Sequence, residues 1–403
     1  MSARRSASLR LGVDAWGLSG PLYFTGMGQY AVTLLRWLPR VAPEITITAY
    51  CGPSEERPSW LPESVGWRPV GRRLPAKLSA LYSWTVSLPR QLRADRIGVF
   101  HAPAVHMRPF FPPVPAVECA VVATLHDLIP MSYYDIRTLP LRQRLFYRLN
   151  VRRAVRATTL ITVSAYSRAE IASLLRVDAA RIVVIHNAID FAPNPDTTPL
   201  ASLGIRPPYL LFAGSYEPRK NLAGALGGYA ALVRNGFSHP LVAIVDQGSG
   251  HASTSPARLR QLRIEDRVRF VDSLSDTQIR SLYTHAEALL FPSLAEGFGM
   301  PPLQAAACGV PVVASELPVL REVLGDCATY VDPQSADSIA DGVIRALSDE
   351  SLRRRGPIVA AQFSPSANTS KHLDAYEAAV AIRASGSRPS TRREEKRRET
   401  LAR

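Results

Sequence analysis

The sequence predicts an α/β protein built as two parallel-sheet halves, and three observations carry that expectation. Apolar strand-like runs end in glycine-bearing loops that open onto helix-spaced residues, as at Tyr209 to Asn221 and Ala288 to Gln304. Further strand-like runs in the first half are separated by helical or loop segments long enough for parallel crossovers. A proline-rich stretch, Ala192 to Pro199, then falls near the middle of the 403 residues, giving two parts each large enough for its own core.

In the first half, Arg10 to Ala15 reads as the opening strand. After about ten residues, Thr25-Gly26-Met27-Gly28-Gln29-Tyr30-Ala31 leads into a helix spaced by Tyr30, Leu34, Leu35 and Leu38. Gly26, Gly28 and Ala31 match the dinucleotide fingerprint as a pattern, but that fingerprint follows its strand directly and this one does not. Strands are expected at Ile45 to Tyr50, Val99 to His101, Val121 to Leu125 and Leu160 to Ser164. His126 and Asp127 stand at the carboxyl end of one of them, the edge of an open sheet where ligands bind. His101 and His186 read as strand-end packing.

In the second half, Tyr209 to Gly214 is a strand running into Ser215-Tyr216-Glu217-Pro218-Arg219-Lys220-Asn221, followed by Leu222, Ala225, Leu226 and Tyr229 at helical spacing. Arg219 and Lys220 suit phosphate, Arg by paired hydrogen bonds and Lys as a mobile point charge. Ala288 to Phe291 is a buried strand ending at Pro292, and Pro301-Pro302 suits a first helical turn. Gly297 and Gly299 let backbone amides turn toward an anion at the helix start formed by Met300, and Glu296 stands at its mouth. Taken alone, Glu296 reads more simply as a carboxylate stabilising the positive end of its helix, and the context of the other loop is what favours a ligand.

These residues together resemble glycosyltransferase family 4. The resemblance rests on Gly214 to Asn221, Glu296 to Gln304 and Gly309-Val310-Pro311-Val312-Val313-Ala314-Ser315, and runs from about Leu11 to Tyr376. It implies the GT-B architecture, two Rossmann-like domains with a cleft between them, and a retaining transferase that moves a sugar from a nucleotide diphosphate without a catalytic metal or resident cofactor. It implies domains at 1–190 and 208–365 and a helix at 366–384 crossing back to the first domain; the prolines place a linker at 191–207, and the polar, basic composition of 385–403 reads as a disordered tail.

The resemblance implies catalytic roles for His126, Glu296, Lys220 and Arg219. It implies substrate contacts at Gly28, Gly26, Asp127, Gly297, Phe298, Gly299, Met300 and Gln304. The turn His126 to Pro130 recurs in mannosyltransferase-like relatives, which points to mannose, and the acceptor expected is a hydroxyl of a glycan or lipid-linked glycan in cell-surface polysaccharide synthesis. The chain departs from the family twice. Gln304 stands where a second glutamate binds the ribose, and Ser215 where several relatives have a cation, which shifts the diphosphate to Arg219 and Lys220.

Composition narrows the classes. Cys51, Cys119, Cys308 and Cys327 are widely spaced without a metal pattern, which favours a reduced cytoplasm. No apolar run reaches transmembrane length, and Arg4-Arg5 is followed by a strand pattern instead of a signal-peptide core. The absence of an Asp-x-Asp pair argues against a metal-dependent diphosphate site. The formal charge is +14, yet the arginines lack the interleaved aromatics of nucleic-acid modules. They cluster at Arg68 to Arg96 and Arg137 to Arg156, the latter with seven arginines beside Asp135. Leu141, Leu145 and Leu149 share one face there, which suits either a peripheral contact with anionic lipid or inward packing.

Three other readings compete. A nucleotide-sugar epimerase of the same fold needs acid and base groups that the sequence does not show. A non-catalytic nucleotide-sugar sensor is suggested by Gln304. An NAD-dependent dehydrogenase rests on Gly26, Gly28 and Ala31 alone and leaves Lys220 and Glu296 without roles.

Overall fold

The computed structural model describes residues 9–71, 82–105, 117–134, 140–245 and 255–386. Expectations for Arg4-Arg5, Arg72, Arg73, Asp135, Arg137 and the tail beyond 386 lie outside these residues. The chain divides into two compact units, 1–188 with 365–403, and 189–364.

The first unit holds a seven-stranded sheet. Its strands are β1 (Arg10–Asp14), β2 (Thr46–Cys51), β3 (Gly66–Pro69), β4 (Val99–Ala102), β5 (Ala120–Thr124), β6 (Thr159–Thr162) and β7 (Ile182–Val184). They lie in the order β3-β2-β1-β4-β5-β6-β7, every pair parallel. Alternation sends Leu11, Val13, Val99 and Val122 to one apolar cluster and Phe100, Ala102, Val121 and Ala123 to another, so both faces are covered. Sequence reasoning missed β3, whose residues are mostly exposed, and β7, which has only three residues.

The helix Pro365–Ala384 belongs to this unit, burying Leu373, Ala375, Tyr376 and Ala379 in the cluster that also holds Leu11 and Leu34. The segment expected as a linker is packed onto the second unit instead. Asn194 is bonded through its backbone N–H to Thr284 Oγ1 at 2.9 Å and through Nδ2 to Ser281 Oγ at 2.9 Å, and Thr198–Ala201 forms a helical turn. Composition marked the prolines but could not reveal these bonds to a helix 87 to 90 residues away.

The second unit holds β8 (Leu210–Ala213), β9 (Leu241–Ile244), β10 (Val268–Val271), β11 (Ala288–Phe291), β12 (Val312–Ser315) and β13 (Ala328–Val331). All are parallel, in the order β10-β9-β8-β11-β12-β13. The order reverses between β8 and β11, the switch point where the loops after two neighbouring strands part and leave a crevice at the carboxyl edge. In the first sheet the reversal falls between β1 and β4.

Candidate functional site

The loops after β8 and β11 flank the switch point of the second sheet, and they carry Arg219, Lys220 and Glu296. Residues 218–220 form one helical turn, after which Asn221 adopts a left-handed conformation (φ 55°) and caps the helix Leu222–Arg234 by accepting from Gly224 N at 3.0 Å. Asn221 Nδ2 donates to the carbonyls of Pro292 (2.9 Å) and Pro333 (2.8 Å), and Leu294 N donates to Arg219 O at 2.7 Å. The two loops are thereby fixed to one another. Asn221 was quoted in the family motif without a role; an Asn immediately before a helical run was the available signal.

Glu296 is 8 % exposed, and two cations bracket its carboxylate. Lys220 Nζ lies 2.7 Å from Oε1, and Arg219 Nη1 lies 3.3 Å from Oε2. Arg219 also donates from Nε to Glu217 at 2.6 Å and from Nη1 to the Ala295 carbonyl at 3.4 Å. Burial alone would raise the Glu217 carboxyl, but the charge and hydrogen bond of Arg219, with a bond from Ser215 Oγ, hold it below its ordinary range. Arg219 is therefore shared among Glu217, Ala295 and Glu296, whereas Lys220 pairs with Glu296 and lies 5.3 Å from the Phe291 ring centroid.

The helix Met300–Ala307 starts at the end of the Glu296 loop, with Gly299 as its N-cap at φ 102°. A side chain at Gly299 would be strained and would meet Leu320 at 2.6 Å, so the turn requires glycine. Gly297, Phe298 and Gly299 are buried, and Met300 and Gln304 are partly exposed. The ring of Phe298 packs edge-on against Phe363 at 5.7 Å between centroids. A cleft of about 300 Å³ lies beside these loops, lined by Asn221, Gly224, Arg258, Leu294 and Pro333.

In the first unit, Thr25 caps the helix Gly26–Val41 by accepting from Gly28 N at 3.0 Å. A Cβ at Gly28 would lie 1.8 Å from the Leu22 carbonyl oxygen, whereas one at Gly26 meets nothing within 4 Å. Packing thus accounts for Gly28 but not for Gly26. His126, 5 % exposed, follows β5, and its Nε2 donates to the Pro103 carbonyl at 2.8 Å. Asp127 accepts from Ile129 N at 3.1 Å and shapes the turn. His101, expected as strand-end packing, is wholly buried in a side-chain network with Tyr30, Thr124, His372 and Tyr376 that sequence reasoning did not find.

All four cysteines are free. Among the described residues no three His, Cys, Asp or Glu side chains come together as a ligand set, and no helix is long and apolar enough to cross a membrane.

Comparison with known proteins agrees with this geometry. Residues 24–193 match the family Glycosyltransferase Family 4, and residues 201–357 match Glycosyl transferases group 1. With two parallel-sheet units and loops of this kind at the switch point, the protein is of the GT-B fold class. The chain belongs to glycosyltransferase family 4 and is mannosyltransferase-like.

It is 34 % identical to O-antigen chain mannosyltransferase B of Escherichia coli over 55 % of this chain and 61 % of that one. It is 30 % identical to O-antigen chain mannosyltransferase RfbU of Salmonella typhimurium over 53 % and 57 %. The alignments thus span about three fifths of these relatives. Among solved structures, sucrose-phosphate synthase from Thermosynechococcus elongatus superposes with a TM-score of 0.71 at 16 % identity, covering 93 % of this chain and 100 % of that one. Anabaena HepE in complex with UDP-glucose superposes with a TM-score of 0.70 at 15 % identity, covering 92 % and 100 %.

Proposed function

We propose that the protein transfers a sugar, mannose by similarity, from a nucleoside-diphosphate donor to a hydroxyl of a growing cell-surface glycan, with retention and without a resident cofactor. The observation that carries this reading is the Lys220–Glu296 pair at the switch point of the second sheet, where open α/β sheets take their ligands. The names of the O-antigen relatives and the UDP-glucose bound by HepE support it.

In this reading Lys220 takes up charge developing on the leaving diphosphate, with amides of the 297–299 turn at the other oxygens. Glu296 accepts from hydroxyls of the donor sugar. Gln304 meets the ribose, its amide accepting from one hydroxyl and donating to another. The bond from the sugar to phosphate breaks as the acceptor oxygen attacks on the same face, and the leaving phosphate receives the acceptor proton. His126 and the Gly26–Gly28 turn serve the acceptor side. An epimerase remains the less favoured reading, because no additional acid–base pair stands beside Glu296 among the described residues.

The helix Leu141–Ala154 supports peripheral contact with an anionic membrane. It buries Tyr147, Asn150, Val151 and Ala154, while Leu141, Leu145 and Leu149 are 59, 56 and 38 % exposed. The exposed Arg148 and Arg152 lie among these leucines, a mixture suited to lipid headgroups because arginine stems lie along apolar surface while their charges reach phosphate.

A thermal-shift screen with GDP, UDP, ADP and NAD tests the donor reading. GDP or UDP should raise the melting temperature, since a ligand at a hundred times its Kd adds about 2.7 kcal/mol. Stabilisation by NAD alone would contradict it.

A further inference from the structure

Five side chains form a buried relay in the first unit, and its hydrogen-bond directions are fixed. His372 Nδ1 lies 2.9 Å from the Asn368 carbonyl, which can only accept, so Nδ1 carries the proton. Burial pushes the His372 imidazole down to about 4, so the ring is neutral near pH 7 and Nε2 is an acceptor. Tyr30 Oη, 2.6 Å away, must donate to it. Having given its one proton, Tyr30 accepts from Thr124 Oγ1 at 3.1 Å. Thr124 in turn accepts from His101 Nε2 at 2.8 Å, and His101 Nδ1 accepts from Tyr376 Oη at 2.8 Å. His101 is held neutral by burial, reinforced by His372 and His126.

This relay joins the helix Pro365–Ala384, which supplies His372 and Tyr376 one turn apart, to the helix that begins at Gly26 and to the ends of β4 and β5. Tyr30 stands in it between Thr124 and His372. The tyrosine lies two residues beyond Gly28, and its ring meets the His126 ring edge-on at 4.9 Å between centroids. No proton leaves the relay, because every member is buried and Tyr30 is held far toward its neutral form by burial.

We infer that Tyr30 is a positioning residue for His126 and the glycine turn, and that His372 sets Tyr30, so that the C-terminal helix helps to shape the acceptor-side site. This rests on the proposed transferase reading for its catalytic consequence, but not for its geometry. His372→Gln keeps an acceptor for Tyr30 and His372→Leu removes it, while Tyr30→Phe keeps the ring and removes the hydroxyl.

Two readouts separate the claims. Nitrogen-15 NMR of the imidazoles should show Nε2–H tautomers for His126 and His101 and Nδ1–H for His372 in the wild type. The His126 signals should move in His372→Leu and Tyr30→Phe and stay near wild type in His372→Gln. With GDP-mannose as donor and UDP-glucose as the second donor tried, kcat should fall at least about fivefold in Tyr30→Phe and His372→Leu, because small misplacements are costly, with donor KM within about twofold. Unmoved His126 signals in Tyr30→Phe would overturn the inference. So would shifted signals with unchanged kcat, which would make the relay purely structural. If neither donor is turned over by the wild type, the transferase reading fails and the His126 signals alone decide the positioning role. Should His372→Leu not fold, Tyr30→Phe carries the same test.

Discussion

Lys220 Nζ lies 2.7 Å from Glu296 Oε1, with the two side chains only 12 and 6 % exposed. Charges this buried are held by their partners, and removing Lys220 leaves Glu296 with Arg219 alone, at 3.3 Å. A diphosphate entering here competes with Glu296 for the lysine, while Arg219 stays tied to Glu217 and Ala295. Lys220→Ala should lower turnover at least about a hundredfold, as for the loss of a donor to developing charge. It should also cost roughly 3 kcal/mol of stability, measurable by urea unfolding. Near-normal turnover in a folded variant would remove the phosphate role.

Glu296→Gln should have the opposite effect on nucleotide binding. With the carboxylate neutralised, Lys220 is freed for phosphate, so affinity for GDP or UDP should hold or tighten while sugar transfer is lost. Calorimetry beside a transfer assay reads both; weakened nucleotide binding would mean that Glu296 contacts the nucleotide itself. Gln304→Glu should be tolerated, and its loss of activity without unfolding would take position 304 out of the ribose site.

The two glycines of the first helix should separate. Gly28→Ala places a methyl 1.8 Å from the Leu22 carbonyl and should destabilise the protein by more than about 2 kcal/mol. Gly26→Ala has open space and should melt within a few degrees of wild type. Lost transfer in Gly26→Ala at normal stability would place this turn against substrate; normal transfer would leave it a plain helix entry.

Stability should fall with acid between about pH 6.5 and 4. An unfolded histidine titrates near 6.5, whereas burial depresses His372 to about 4 and His101 well below its ordinary value. Between those values the unfolded chain binds more protons, so stability is full above about pH 6.5 and is lost on acidification, on the order of 3 kcal/mol for His372 by pH 4. Melting temperatures should fall from pH 7.5 to 4.5 accordingly, and less steeply with pH in His372→Gln. An unaltered slope in that variant would mean that another group dominates.

The exposed leucines of Leu141–Ala154 should matter only at a membrane. Wild type should sediment with phosphatidylglycerol vesicles at low salt and release as salt rises, because the attraction is screened over about 8 Å at physiological ionic strength. Leu145→Ser with Leu149→Ser should reduce that binding without changing the melting temperature. Equal recovery with neutral vesicles would leave the charge a solvated surface property.

Much of the fold was legible because apolar strands running into helix starts repeat along the chain, as at Leu210 to Leu222. Lys220 and Glu296 were legible because both loops end such strands. What was hidden is long-range. Asn194 bonds to Ser281 and His372 to Tyr30 across the fold, and no local period announces either contact. Whether Leu141, Leu145 and Leu149 faced inward or outward was equally undetermined, since helical spacing fixes a shared face but not its side.

The central claim is that the loops after β8 and β11 hold a nucleoside diphosphate through Lys220. Titration calorimetry of wild type and Lys220→Ala with GDP and UDP tests it most directly. The account predicts saturable one-site binding of at least one of them by wild type, weakened at least about tenfold in the variant, equivalent to 1.4 kcal/mol. Equal affinity in both proteins, or binding of neither nucleotide by wild type, would contradict it.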